Sequence, residues 1–456
     1  APRAGWAKAR CLLGAGDFRA AEKRSASMRQ LMEKIPAVSD QAKANLQHPP
    51  RIHTETAIEQ TQGAINLVRT DLTPLLDQAP EMKKDLAPLQ DKTAAALEDY
   101  KKWLQKDLLA RSDGAFRLGA YSARTEPPLA LASAFPLDEL LKRAKAGLRQ
   151  AQTAIYAPAL PLYKKYFPDA DKKTIADKRK VTAAVLNKLA EQHPNDATVV
   201  DYAKEVVAEA TGFVKQHDLV TIPNMSLDVI AMPEFKRGVA IAYCDPPGPL
   251  EKNGKTFFAV APTPKDWSKE RKESFFREYN NYMIRDLTVH EAMPGHFLQL
   301  ARSNEFRAPT MVRAIFQSGS FVEGWAVYCE QVMAEQGYGG PEVKMQQLKM
   351  RLRAICNAIL DQSIHAGNMT EKQAMDLMTK EGYQQEGEAV AKWKRARLTS
   401  AQLSTYFVGA TEHLDLRAAE QKKLGNDFNL KKYNDQVISY GSPPVKYVRE
   451  LMGLSL

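Results

Sequence analysis

Cysteine and histidine are the scarce residues of this chain, with four and eight copies among 456. Four cysteines (Cys11, Cys244, Cys329, Cys356) in so long a chain form no disulfide framework, and there is no Cys-x-x-Cys pair. Long apolar runs are missing as well. No stretch approaches the roughly 18 uninterrupted apolar residues of a spanning helix, so the sequence predicts no membrane span. The amino end, Ala1-Pro2-Arg3-Ala4-Gly5-Trp6, carries no apolar core of the kind a targeting signal needs. No fixed-period repeat or low-complexity tract is visible either.

Lys and Arg outnumber Asp and Glu by 64 to 54, a net charge of +10. The excess is spread along the chain and interleaved with acids, as in Lys83-Lys84-Asp85 and Lys269-Glu270-Arg271-Lys272-Glu273. Such mixing is the pattern of solvated helix faces, and the sequence predicts no nucleic-acid partner, which would favour a basic stripe. With 44% hydrophobic and 26% charged residues the composition is that of an ordinary globular protein. The length allows several domains or one large helical unit.

The first half reads as helices separated by proline-bearing turns. Leu97, Tyr100, Leu104 and Leu108 share one helical face, and so do Ile58, Ile65, Val68 and Leu72. Breaks are expected at Pro49-Pro50, Pro127-Pro128, Pro158 to Pro161, and His193-Pro194-Asn195. After about residue 220 the texture changes. Val239 to Tyr243 alternates with a period of two and predicts a short strand. The Asn253-Gly254 turn leads into a second strand, Thr256 to Val260. From Ser268 the pattern is helical again, with one stop at Gly337, Gly339, Gly340 and Pro341 and a capping box from Thr370 to Gln373. The expectation is a mainly α protein with one small β region. Its helical amino-terminal portion spans 1–220 and its motif-bearing portion 221–456, in one continuous globular unit.

One segment carries chemistry: Asp286-Leu-Thr-Val-His290-Glu291-Ala-Met-Pro294-Gly295-His296. The familiar zinc helix places two histidines at i and i+4, with a glutamate as general base. Here the histidines stand six apart, which on an unbroken helix would leave the second roughly 120° off the first. Pro294-Gly295 is the pair best suited to break the helix and turn His296 back to the face of His290. A third ligand is then needed. Glu323 and Glu330 lie seven apart on one stripe of a downstream helix beside Phe321, Ala326 and Val327. Acids on such a stripe are costly unless they meet a cation or partner. Either could ligate, and the other would orient a histidine from behind. The plain alternatives are a helix kink at Pro-Gly and a solvated acidic face. Cys329, beside Glu330, reads as packed core rather than ligand.

His290-Glu291-x-x-Pro-Gly-His296 followed by Glu323-Gly-Trp-Ala-x-Tyr-x-Glu330 resembles a bacterial family called domain of unknown function 885. Phe116-Arg117-Leu118-Gly119 and Ser400 to Tyr406 look like further stretches of that family. The resemblance implies a zinc peptidase related to the gluzincins, a large helical fold with a small sheet beside an active-site cleft, and an exported, periplasmic or extracellular protein. Members are usually longer at the amino end, so the chain looks like a mature or truncated form. The stretch Phe321-Val-Glu323 with Glu330 seven on looks like the third-ligand helix of thimet-oligopeptidase-type enzymes. That similarity implies Glu323 as ligand and Glu330 as the group behind a histidine.

The expected function is therefore hydrolysis of a peptide bond in a peptide or small protein substrate. His290, His296 and Glu323 would hold Zn2+, and Glu291 would take a proton from water and return it to the leaving amine. A tetrahedral oxyanion needs one more donor, for which Tyr406, His365 and Arg395 are candidates, Tyr406 first. The rival readings are a binding or scaffold protein that keeps the motif without activity, and a nucleic-acid binder.

Overall fold

The computed structural model describes residues 21–77, 80–119, 129–133, 136–233, 237, 241–248, 254–264, 267–306 and 316–455. The chain divides into two compact units, Ala1–Phe116 and Arg117–Leu456. In the first, helices α1 (Ala21–Asn45), α2 (Arg51–Asn66) and α3 (Pro80–Trp103) pack around Met28, Met32, Ile65, Val68, Leu72, Leu86 and Leu97. Three of the four residues on each predicted stripe are buried, with Ile58 and Tyr100 half-exposed at the margins. Pro49-Pro50 separates α1 from α2, as expected.

The second unit carries α4 (Leu137–Tyr166), α5 (Lys178–Leu189), α6 (Val199–Gln216), β1 (Leu227–Ala231), β2 (Ala242–Asp245), β3 (Thr256–Val260), α7 (Lys269–Glu278), α8 (Asn281–Glu291), α9 (His296–Glu305), α10 (Gly319–Glu335), α11 (Gly340–His365), α12 (Glu386–Leu398), α13 (Thr405–Leu424), α14 (Leu430–Ser439) and α15 (Val445–Leu451). The protein is mainly α with a small sheet. The boundary between the two compact units falls at Phe116–Arg117, and residues 137–220 belong to the same unit as 221–456. Helices α4 and α5 share a core with α11, through Ile155, Ala159, Leu162, Val185, Leu352 and Ile355, while α6 joins the core of α8, α10 and α13.

One expected break is absent: α4 runs unbroken through Pro158 and Pro161. A proline in a helix interior costs about 3 kcal/mol. The same turns bury Ile155, Ala159, Leu162 and Tyr163, and full burial of a large apolar side chain contributes about 1.5–3 kcal/mol each, enough to offset the lost hydrogen bonds. The turn at His193-Pro194 and the stop at Gly337 to Gly340 are present, the three glycines there having positive φ. Thr370 and Gln373 form a complete capping box. Pro127 and Pro128 lie outside the described residues.

The sheet has the order β1-β3-β2, with β1 parallel and β2 antiparallel to β3. Strand β3 matches its predicted span. Strand β2 begins at Ala242, and Val239, Ala240 and Asn253 lie outside the described residues. Strand β1 had no expectation, because Leu227 to Ala231 is half-buried along its length and offers little alternation.

Helices α10 and α13 approach each other backbone to backbone. A Cβ on Gly409 would lie 1.8 Å from the Ser320 carbonyl oxygen, and one on Gly324 would lie 2.3 Å from the Gly409 backbone. One turn along α13, the His413 ring donates from Nε2 to the Phe321 carbonyl at 3.1 Å. That ring is fully buried among Phe321, Trp325 and Tyr328.

Two outcomes follow from this crossing. Gly409→Ala should lower stability by at least about 1–3 kcal/mol in chemical denaturation, through overpacking against backbone. Gly212→Ala, on the open face of α6 where a Cβ meets nothing within 4 Å, should instead raise it by about 0.4–1 kcal/mol. Burial lowers the His413 pKa from 6.5 to about 4. Between those values the unfolded chain binds a proton that the folded chain refuses, so stability falls as pH drops through this window, by roughly 3 kcal/mol in the limit. His413→Gln should flatten that part of the stability–pH curve, measured by urea unfolding at a series of pH values; an unchanged slope would remove His413 as its source.

Candidate metal centre

Helix α8 starts cleanly because the Asn280 side chain accepts from the amides of Tyr282 and Met283. It ends at Glu291, and the Met293–Pro294 peptide bond is cis. The Gly295 amide donates back to the Val289 carbonyl at 2.9 Å, six residues earlier, and α9 begins at His296. A Cβ on Gly295 would lie 1.9 Å from the His290 carbonyl oxygen, so only glycine fits this turn. The turn is clamped from α10, where Trp325 Nε1 donates to the Pro294 carbonyl at 3.0 Å and Cys329 Sγ reaches the same oxygen at 3.6 Å. The result is the geometry the Pro-Gly insertion predicts: the two imidazoles lie 4.7 Å apart and nearly perpendicular.

Their Nε2 atoms converge on one carboxylate oxygen. Glu323 Oε2 lies 3.5 Å from His290 Nε2 and 3.4 Å from His296 Nε2. Ligand atoms of a tetrahedral ion with bonds of about 2.0–2.1 Å stand about 3.3–3.4 Å apart, so two edges of the donor set have the size a zinc-like ion needs. Glu323 is 22% exposed at its side chain, which keeps the group open to solvent on one side. Among the described residues, His290, His296 and Glu323 form a group able to hold a metal ion.

The groups behind this set fix its orientation. His290 Nδ1 donates to Glu330 Oε1 at 2.6 Å, which leaves the Nε2 lone pair for an ion. Among the described residues His296 has no such support, since its buried Nδ1 has no hydrogen-bond partner there. Asp286, one turn before His290, is buried beside Glu330, and burial together with that neighbouring charge pushes its pKa well up. Burial raises Glu330 as well, against the hydrogen bond from His290 that pulls it down. Burial opposes charging of His290, but the hydrogen bonds it donates to Glu323 and Glu330 outweigh it and raise its pKa well above the usual imidazole value. The same contacts pull Glu323 down against its burial.

Glu291 is buried next to the pair, and its Oε2 accepts from the Cys244 amide on β2 at 3.0 Å. The small sheet thus stands beside the site, as expected. The Cys244 thiol is kept protonated by burial and by Glu291. Tyr406 opens α13, with its ring 6.4 Å from that of His290. Its hydroxyl accepts from Arg395 Nη2 and Gln402 Nε2, both at 3.3 Å, so its own proton is free to be donated. Burial, then the Glu323 charge, raises its pKa and keeps it a neutral phenol.

His365 is not brought into this group. Its Nε2 faces the carbonyls of Ala396 and Thr399 at 3.0 and 2.9 Å, where it holds the end of α12 and the entry to the Tyr406 segment. The reason is its place at the last turn of α11, whose buried face packs on α12. Arg395 reaches the site through the Tyr406 hydroxyl. Residues that carried no functional expectation are Trp325, Asp286, Gln402, Gly409 and the Cys244 amide. Of these, Trp325 and Gln402 lie inside the motif stretches, while a backbone amide from a distant strand leaves no mark on a sequence.

No curated protein matches the chain. Among solved structures, one of a "putative lipoprotein of unknown function" from Shewanella oneidensis aligns with a TM-score of 0.77 and 34% identity, covering 99% of this chain and 82% of that one. A second, a "putative lipoprotein" from Colwellia psychrerythraea, aligns with a TM-score of 0.78 over 97% of this chain and 78% of that one, at 18% identity, a likeness of fold alone. No described helix of this chain is long and apolar enough to cross a membrane. With the family model matching residues 8–452, the chain belongs to the bacterial proteins of unknown function (DUF885).

Proposed function

We propose that this protein is a zinc-dependent peptidase. The observation that carries the reading is the convergence of His290 Nε2, His296 Nε2 and Glu323 Oε2 at tetrahedral spacing, with His290 Nδ1 tied back to Glu330. Two imidazole nitrogens and one carboxylate oxygen are a donor set that suits zinc and leaves a position open for chemistry. When bound there, the ion supplies Lewis acidity towards a peptide carbonyl and makes water a nucleophile near neutral pH.

The side chains supply the rest. Glu291 has one oxygen held by the Cys244 amide, which aims the carboxylate and leaves its other oxygen to take a proton from water and pass it to the leaving amine. The Tyr406 hydroxyl, fixed by Arg395 and Gln402, donates to the carbonyl oxygen as negative charge develops on it. Glu330 orients His290, and Trp325 holds the turn that delivers His296. The lipoprotein description of the Shewanella oneidensis structure supports an extracytoplasmic setting, where a peptidase would meet peptides or small proteins.

Purified protein should carry about one zinc per chain by elemental analysis. His290→Ala, His296→Ala and Glu323→Ala should each lose the metal, while Glu330→Gln should weaken its binding by about 10–100-fold. Glu291→Gln should keep the metal and lose about 10²–10⁴-fold in peptide hydrolysis; hydrolysis unchanged by that substitution, or wild-type protein that binds no metal, sinks the reading. Tyr406→Phe should lower kcat about 10²–10³-fold with little change in KM. A rise in KM at constant kcat would mean that the tyrosine only binds substrate.

A further inference from the structure

Behind Tyr406 a buried ion network joins α7, α11 and α12. Glu278 meets Lys349 Nζ at 2.8 Å and Arg353 Nη1 at 4.0 Å. Glu388 meets Arg353 Nη2, and Lys392 Nζ at 3.5 Å, and accepts from the Tyr279 hydroxyl at 3.1 Å. Arg395, one turn beyond Lys392 on α12, extends the row to the metal centre. Two acids thus stand against four bases. Burial and the charge of Arg353 lower the Lys392 pKa to about 7, and even with Lys392 neutral one positive charge is left over.

That charge is exposed at Arg395. Lys349, Arg353 and Lys392 each lie within 4 Å of a carboxylate. Among the described residues Arg395 has none, and its bonds go from Nη2 to two neutral groups, Gln402 Oε1 at 2.6 Å and the Tyr406 hydroxyl at 3.3 Å. A guanidinium carries five N–H donors, and the Nε and Nη1 groups of Arg395 are left for an outside acceptor. Arg395 is half-buried, so this edge is partly desolvated yet open. Each of these groups can give a carboxylate oxygen one charge-assisted hydrogen bond, stronger than a bond between neutral partners.

Its distance from the chemistry is short. Arg395 is one hydrogen bond from the hydroxyl of a tyrosine whose ring lies 6.4 Å from His290. A peptide advances about 3.3–3.6 Å per residue. We infer that Arg395 is a substrate subsite that binds a carboxylate within about three residues of the scissile bond, supplied by the peptide's own C-terminus or by an acidic side chain. This rests on the peptidase reading and adds a substrate class to it: the chain would trim short pieces from C-termini, or cut beside acidic residues.

The test is calorimetric binding to the full-length, zinc-loaded Glu291→Gln protein of three probes: tri-alanine, tri-alanine amide, and Ala-Ala-Asp amide. Tri-alanine should bind at least about tenfold more tightly than its amide, as expected for a charge-assisted pair. Tight binding of the Asp amide as well assigns the site to any nearby carboxylate, and weak binding of it assigns the site to the C-terminus. Arg395→Gln, checked for unchanged zinc content, should bring the acid-to-amide ratio to about one, and Arg395→Lys should restore part of it. Equal affinity for acid and amide, no binding of any probe, or a preference that survives Arg395→Gln overturns the subsite, even if the wild-type chain cleaves peptides. A preference lost in Arg395→Gln, in a chain whose wild type hydrolyses nothing, leaves the subsite standing and overturns the peptidase reading instead.

Discussion

The contact between Gly324 and Gly409 governs the geometry of the candidate site. Two helices meet there backbone to backbone, with no room for a single added methyl group on either side. Glu323 precedes one glycine and Tyr406 stands one turn before the other, so the crossing sets the height of the metal-facing carboxylate against that of the phenol. The His413 bond to the Phe321 carbonyl pins the same pair of helices on the other side of the crossing. Small residues permit close approach, but the close packing that follows leaves little freedom to slide. A site whose parts must meet within a few tenths of an ångström benefits from a joint of that kind.

Helix α10 is the common support. One of its stripes carries Glu323 and Glu330, which face the histidines from the front and from behind. An adjoining stripe carries Trp325 and Cys329, both of which reach the Pro294 carbonyl. The same helix therefore supplies the candidate ligand Glu323, orients His290, and clamps the turn that returns His296. This explains how a spacing of six between the histidines can work. The insertion abandons helical rotation as the means of aligning the rings and replaces it with a turn closed by the Gly295 amide, which needs an outside clamp because it sits between two helix ends.

Much of this was legible in the sequence where the signal was local. The two motifs, the breaking role of Pro294-Gly295, the stripe of Glu323 and Glu330, strand β3 and the capping box at Thr370 all rest on residues a few positions apart, and each is found in the structure. What was not legible depended on partners far along the chain. Pro158 and Pro161 read as a break because their local cost is visible, whereas the packing against α11 that offsets it is not. Strand β1 exists because β3 pairs with it, and its own residues say little. His365 looked available for chemistry until the carbonyls of Ala396 and Thr399, more than thirty residues away, were seen to occupy it. The glycine joint was invisible for the same reason, since neither glycine marks its partner.

The charge of the chain has the same lesson with a different sign. Interleaved acids and bases along the sequence describe the surface well, but they conceal a sorted interior. Around His290 the sorting is towards acids: burial pushes both Asp286 and Glu330 up, and Glu330 accepts from His290 Nδ1, which turns Nε2 towards Glu323. Along α12 the sorting is towards positive charge, ending at an arginine with neutral partners. The two histidines are accordingly not equivalent. His290 is held by a hydrogen bond from behind, whereas His296, with Nδ1 unpartnered among the described residues, is held by the shape of the turn. Loss of Glu330 would act on the orientation of one histidine, and loss of Trp325 on the placement of the other, so the candidate donor set depends on two supports of different physical kind carried by one helix.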